Sequence, residues 1–186
     1  MATPTPAARL CAACGLCCNG VLFHTVQLQP GDSAKVLTAL GLKLKRKQGH
    51  QYILQPCPAF KESCCSIYAA RPQRCRLFEC QQLLRVEAGE ITEASALEKI
   101  RAVQRRVMEL DELLQSAGGT NFKRPLSKRC EKAMAEPLAA LTDPAAVAIR
   151  HRLTRAMAEL NQILNDDFRL VRTEVGEGDD KAIGDQ

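Results

Sequence analysis

The sequence predicts an α+β fold: a small cysteine-rich unit with short strands, followed by a helical hairpin packed on it. Three observations carry this. Apolar residues alternate in short runs before residue 90, they recur at three- and four-residue intervals after it, and nine of the ten cysteines fall in the first half. With 186 residues, 46% of them hydrophobic, the chain can bury one core of useful size.

In the first half, Leu22–Leu28 alternates well enough for a strand. Pro30-Gly31-Asp32 makes a turn, and Ala34, Val36, Leu37 and Leu40 suit a short helix stopped by Gly41. The runs 42–47 and 51–54 flank Gln48-Gly49-His50, which reads as a β-hairpin. In the second half, Thr92 or Ser95 caps a helix reaching about Ser116, with Ile100, Val103, Val107, Leu110 and Leu114 on one stripe. A further helix is expected over 127–141, broken or kinked at Pro137. Asp143-Pro144 opens the last helix, whose stripe is Ala146, Ile149, Leu153, Ala156, Leu160 and Ile163. Both stripes are read as core. The resulting division is a cysteine-cluster domain at 1–90, a helical extension at 91–170 and a disordered acidic tail at 171–186.

No apolar run approaches the length of a membrane span, and the first residues lack the apolar core of a secretory signal. The expectation is a cytoplasmic protein, where thiols stay reduced and metal or redox chemistry is favoured over structural disulfides. The net charge of +5 is concentrated: residues 1–90 hold 11 Lys and Arg against 5 Asp and Glu. Eight thiolates with two divalent metals would leave about −4, so the basic excess reads as charge compensation. With 4% aromatic residues and no Trp, base-stacking surfaces are poorly supplied. The basic run Lys43–Lys47 reads as a solvated strand edge. Nucleic acid and membrane are therefore not expected partners; a protein or redox partner is.

The cysteines form two segments. The first is Cys11-Ala-Ala-Cys14-Gly15-Leu16-Cys17-Cys18. The second runs from Cys57 through Cys64, Cys65 and Cys75 to Cys80. Thiols at two-residue gaps let one metal or cluster be gripped by successive turns of backbone. As a loop, Cys11, Cys14 and Cys17 share one centre and Cys18 points to a second. As a helix, Cys11, Cys14 and Cys18 act together. Both remain open on the sequence. Pro72 suits the first turn of a helix continuing to Leu84. That places Cys75 near the helix N-terminus among Arg71, Arg74 and Arg76, a setting that favours its thiolate. In a continuous helix Cys80 would be rotated about 140° from Cys75, which makes it the hardest ligand to place.

The candidate metal ligands are Cys11, Cys14, Cys17, Cys18, Cys57, Cys65, Cys75 and Cys80, enough for two four-ligand sites. Cys130 is read as a buried hydrophobe, and His24 and His50 as ordinary strand or turn residues. An all-cysteine set leans towards an iron–sulfur cluster, with zinc as the alternative. No catalytic residue is assigned. Cys14 and Cys18 have the first gap of the radical S-adenosylmethionine motif, but its third position is Val21, and no nucleotide loop or His-Glu-x-x-His is present.

These segments resemble the CxxCxxCC family of zinc- or iron-chelating proteins, the YkgJ-type cysteine cluster proteins. The resemblance lies in the four-cysteine cluster with Gly15, in Cys57-Pro58, and in Cys65-Ser-Ile67-Tyr68-Ala-Ala-Arg71-Pro72-Gln-Arg-Cys75-Arg76-Leu-Phe78, over roughly residues 11–80. Aligned so, Cys64 is an extra cysteine, and Glu79-Cys80 stands where relatives often have Pro-Cys or Pro-aromatic, so the cysteine matches and the proline does not. The resemblance implies metal binding through these cysteines and no particular reaction. A related cysteine domain occurs in the longer flagellin lysine methylases. The function expected is thus a metal-binding protein with an iron–sulfur cluster or zinc. The alternatives are an enzyme using the same domain, methyltransferase-like or oxidoreductase, and a zinc-stabilised adaptor. Ile67 and Tyr68 are expected to pack the second segment onto the strands.

Overall fold

The computed structural model describes residues 5–62, 64–119, 121–135, 137 and 142–170. The fold is α+β. Helix α1 (Pro6–Cys14) leads into strand β1 (Thr25–Gln27), helix α2 (Ala34–Ala39) and the hairpin of β2 (Leu44–Lys47) and β3 (His50–Leu54). A second hairpin, β4 (Phe60–Lys61) with β5 (Cys64–Cys65), precedes a 3₁₀ turn at Tyr68–Ala70. Helices α3 (Gln73–Leu77), α4 (Gln81–Glu87), α5 (Glu93–Ser116), α6 (Leu126–Ala133) and α7 (Pro144–Asp167) follow.

The three-stranded sheet has the order β1-β3-β2 and is antiparallel throughout. Its register pairs Val26 with Ile53 and Leu44 with Ile53, so one apolar face closes on Leu37 and Leu42. The β2–β3 turn needs two positive-φ residues, and Gln48 (φ 50°) and Gly49 (φ 81°) supply them. The expected strand over 22–28 is shorter than its alternation, because Leu22 is drawn into the helical core instead of the sheet.

Helix α5 begins as expected, with the Thr92 side chain accepting from Ser95 N at 3.1 Å. Helix α7 starts at Pro144 with Asp143 as its cap. The two are antiparallel, since Lys99 Nζ meets Asp167 (2.9 Å) while Arg106 meets Glu159 (3.3 Å). Their buried faces are Ala96, Ile100, Val103, Leu110, Leu113 and Leu114 against Leu153, Ala156, Leu160 and Leu164. Leu164 is fully buried, and the expected Ile163 beside it packs on the same core but is only partly buried. Phe168 closes this core and is completely buried.

The helical pair is not a separate layer. Leu10 and Leu16 from the first cysteine segment, and Leu83 from α4, belong to the same core as α5 and α7. Two polar ties fix α1 on α5: Arg9 pairs with Glu93, and Gln104 Nε2 donates to Ala13 O (2.8 Å) and Cys14 O (3.2 Å). The helix expected over 127–141 is Leu126–Ala133; positions 136 and 138–141 and the acidic tail at 171–186 lie outside the described residues. No helix among the described residues is long and apolar enough to cross a membrane.

Candidate metal centres

Helix α1 carries the first two thiols. Thr5 caps it through a side-chain bond from Ala8 N (3.2 Å), with Pro6 in its first turn. Cys11 and Cys14 are three residues apart on the last turn and so share a face. Gly15 then ends the helix in the left-handed region (φ 68°), its N–H donating to Cys11 O at 3.3 Å. The carbonyl of Gly15 accepts from both Cys18 N and Asn19 N at 2.9 Å, which wraps Cys17 and Cys18 into a tight turn. Helix and loop alternatives are both partly realised: helical to Cys14, looped after it.

Gly15 has a second role. A Cβ here would run into the ring of Phe60, so β4 packs directly on the helix end. Gly15→Ala is expected to lower the stability of the metal-free chain by at least about 1–2 kcal/mol, the cost of a left-handed alanine. The larger effect is displacement of the second cysteine segment. A thermal melt and the metal content of the purified variant check this; an unchanged melt would contradict the contact.

The second segment is tied to the first by a short hydrogen bond from Cys57 N to Cys18 O (2.7 Å). Cys57 O accepts from Phe60 N (3.0 Å), and Phe60 pairs with Cys65 across the β4–β5 hairpin. Cys75 sits in α3, whose start is held by Asp32: Oδ1 accepts from Gln73 N (2.9 Å) and Oδ2 from Gln29 N (2.8 Å). The expected continuous helix from Pro72 to Leu84 does not form. Phe78 turns extended and packs edge-on against Phe23, with ring centroids 4.9 Å apart. Cys80 is extended as well, and α4 restarts after it with Gln81 N on Phe168 O (3.2 Å) and Gln82 Nε2 on Asp167 O (2.8 Å). The aromatic pair and the anchor to the end of α7 outweigh the helical pattern of 73–84. The kink frees Cys80 to face the first cysteine segment.

Electrostatics sorts the eight thiols. Cys14 feels Cys80 and Cys11, and Cys17 feels Cys14, Cys80 and Cys11. Cys18 feels Cys57, Cys75 and Cys65, and Cys75 feels Cys57 and Cys65. Cys11, Cys14, Cys17 and Cys80 therefore make one neighbourhood, and Cys18, Cys57, Cys65 and Cys75 another. They meet at the Cys17–Cys18 peptide, where Cys18 also acts on Cys17 and Cys11 acts on Cys18. In this grouping Cys17 stands with Cys11 and Cys14 and Cys18 with the second segment, while Cys11 also acts on Cys18.

Burial dominates every resolved thiol. It pushes Cys14 and Cys18 up to about 12 and Cys75 up to about 11, and raises Cys11, Cys17 and Cys57 as well. This corrects the expectation for Cys75. Arg71 does lower it, but desolvation and the neighbouring thiols win, so without a cation the proton stays.

The remaining candidates have other roles. Cys130 is buried in the helical core, and Cys64 is exposed on β5. His24 Nε2 pairs with Ser127 Oγ, and His50 Nδ1 with Gln27 Nε2 (3.1 Å). Ile67 packs on the small sheet core as expected. Tyr68 does not: it is half exposed, with the Arg71 guanidinium stacked 3.7 Å over its ring. Gln104 and Phe60 were not flagged by the sequence; a lone Gln on an exposed helix face and a Phe after Cys-Pro-Ala carry no signal of their partners.

Residues 10–100 match the family model CxxCxxCC, described as "Putative zinc- or iron-chelating domain". This segment is a CxxCxxCC domain. Neither a curated protein nor a solved structure matches the chain. The CxxCxxCC domain contains all eight candidate ligands, and it ends inside α5, with Glu93 and Gln104 on either side of that end. Both thiol neighbourhoods fit a zinc or iron site in donor kind, since soft thiolates suit both metals. Among the described residues, no three Cys, His, Asp or Glu side chains are gathered closely enough to hold a metal ion.

Proposed function

We propose that the chain is a metal-binding protein holding iron–sulfur clusters or zinc at two thiol centres, Cys11, Cys14, Cys17 and Cys80 in one and Cys18, Cys57, Cys65 and Cys75 in the other. The observation that supports this is that, next to burial and among the thiols, Cys14 is influenced by Cys80 and Cys11, Cys17 most by Cys14 and Cys80, and Cys18 and Cys75 both by Cys57 and Cys65, the two sets touching at Cys17 and Cys18. Four is the ligand number of both a structural zinc site and a cubane cluster. The eight cysteines would hold the metals from a backbone tied by the Gly15, Cys18–Cys57 and Asp32 hydrogen bonds. When bound, zinc would lock the two segments together, and a cluster would add the ability to hold and pass an electron. Iron–sulfur is favoured by a donor set that contains no histidine.

The test is an ultraviolet–visible spectrum with metal analysis on protein purified without oxygen. Iron, acid-labile sulfide and a band at roughly 400 nm are expected for clusters. A colourless protein with zinc would move the reading to a structural centre. Protein that retains neither metal, and takes up neither on reconstitution, would end it.

A pH dependence follows from the raised thiols. At neutral pH each bound thiol must give up its proton, so metal uptake releases about four protons per four-thiol centre. Affinity therefore rises with pH through the neutral range, by up to about tenfold per unit for each proton released. The metal-free chain behaves oppositely. Its thiols are harder to ionise folded than unfolded, so its stability is full below the ordinary thiol value of 9.0 and falls as pH rises above it. A pH-stat titration with zinc and a pH series of metal-free melts check the two signs.

A further inference from the structure

Strand β2 is a free edge of the three-stranded sheet, whose order is β1-β3-β2. The register fixes which of its groups face outward. Leu54 N donates to Lys43 O at 3.2 Å, so residues 43, 45 and 47 turn their peptide groups towards β3. Around β3 the alternate positions bond the other way: Leu28 N donates to Gln51 O (2.8 Å) and Gln55 N to His24 O (3.0 Å), on the β1 side. The peptide groups of Leu44 and Arg46 therefore point out of the sheet, and among the described residues they have no backbone partner. Side chains alternate along the same strand. Leu44 lies on the apolar side of the sheet, where Ile53 and Cys57 also pack. Lys43, Lys45 and Lys47 share the opposite side, fully exposed, and Arg46 is exposed as well. None of the four has an ion pair among the described residues. The lysine row is turned away from the side that holds Cys57, so compensation of thiolate charge does not account for it.

We propose that this edge docks an extended acidic segment of a partner protein, which adds a fourth strand to the sheet outside β2. The added strand lies about 4.8 Å from β2 and takes the free N–H and C=O groups of Leu44 and Arg46. Added antiparallel, it sets Lys43, Lys45 and Lys47 in the pairs without hydrogen bonds, where Cα atoms are about 4.5 Å apart and side chains come closest. The fitting segment thus carries Asp or Glu at every second position and an apolar residue opposite Leu44. Lysines on an edge bar a second copy of the same edge, because like charges are laid against each other. The same charges select an acidic strand. A nucleic-acid backbone would use the lysines and leave the paired peptide groups of Leu44 and Arg46 unused, so the edge geometry favours a peptide. The proposal stands apart from the metal reading and holds for either metal.

The experiment is a fluorescence-anisotropy titration of the full-length, reduced chain into a labelled peptide in which Glu alternates with Val. Three probes are compared with it. One has the same composition with its Glu residues in a single block. One is the alternating peptide N-methylated at its valines, the residues that pair with Leu44 and Arg46. The third is a single-stranded oligonucleotide of equal charge. The alternating peptide is expected to bind, and to slow amide hydrogen exchange at Leu44 and Arg46. The blocked and N-methylated peptides are expected to bind at least about tenfold more weakly, since exposed charge pairs alone contribute little each. The triple variant K43E/K45E/K47E should lose at least about tenfold for the Glu peptide and prefer a peptide in which Lys alternates with Val. No binding of the alternating peptide at millimolar concentration would overturn the proposal and leave the lysines as edge protection only. So would equal affinity for the blocked peptide, which would mean charge without strand pairing, or tighter binding of the oligonucleotide. Circular dichroism shows whether the triple variant folds. If it does not, the N-methylated peptide on the wild type decides: undiminished binding refutes the added strand, and lost binding supports it.

Discussion

Cys17→Ser and Cys18→Ser, one residue apart, are expected to remove different metals. Each variant should fall from two centres to one, and the surviving centre should differ. In Cys17→Ser the group of Cys18, Cys57, Cys65 and Cys75 is intact, so a further Cys75→Ser removes the remaining metal while a further Cys80→Ser changes little. In Cys18→Ser the pattern reverses. The physical basis is the turn after Gly15, in which Cys18 O takes the Cys57 N–H while Cys17 packs with Cys14 and Cys80 against the helical core. Serine is close to isosteric and keeps the turn, so the loss reads ligation and not packing. Metal per chain, measured on the single and double variants, gives the answer. Complete loss of metal from either single variant would mean one shared centre.

The second large effect is at the far end of the chain. Phe168→Ala should destabilise the protein by about 3–5 kcal/mol, the usual cost of truncating a fully buried Phe. For a chain of this size that is a fall in melting temperature of about 6–20 °C. Phe168 fills the core where α7 ends, and its carbonyl receives the Gln81 N–H at the start of α4. Its loss also loosens the stretch that presents Cys80. The variant should therefore lose metal from the Cys80 group before the other. Chelator-release kinetics on Phe168→Ala check this, and equal loss from both groups would contradict it.

Much of this was legible in the sequence. The caps at Thr92 and Asp143, the apolar stripes, and the Gln48-Gly49 turn are local signals, and local signals act through the first or last turn of their own element. The eight candidate ligands stand out in the sequence because clustered thiols have few other uses. What could not be read was their assignment. Whether Cys17 or Cys18 lies near Cys11 depends on where α1 stops; it stops at the left-handed Gly15, and Phe60, distant in sequence, lies where a side chain there would stand. The break before Cys80 was hidden for the same reason. The pattern from Pro72 to Leu84 is a good helix, overruled by Phe23 on one side and the α7 end on the other. Cys75 was misjudged because a sequence displays nearby arginines but not the burial that opposes them.

The adjacency of Cys17 and Cys18 also bears on chain topology. Closing the first group ties Cys17 to Cys80 and so pinches off a loop of roughly sixty residues. Closing the second ties Cys18 to Cys57 and pinches off one of roughly forty, nested inside the first. Loop entropy grows only logarithmically, so this difference in length is worth less than about 0.6 kcal/mol. Length alone then gives neither loop priority. What separates them is scaffolding: the outer loop is anchored at both ends to the helical core, whereas the inner one is anchored to a small sheet with four buried apolar residues. Under the proposed two-centre reading, the outer loop would close beside the large helical core and the inner one beside the much smaller core of the sheet.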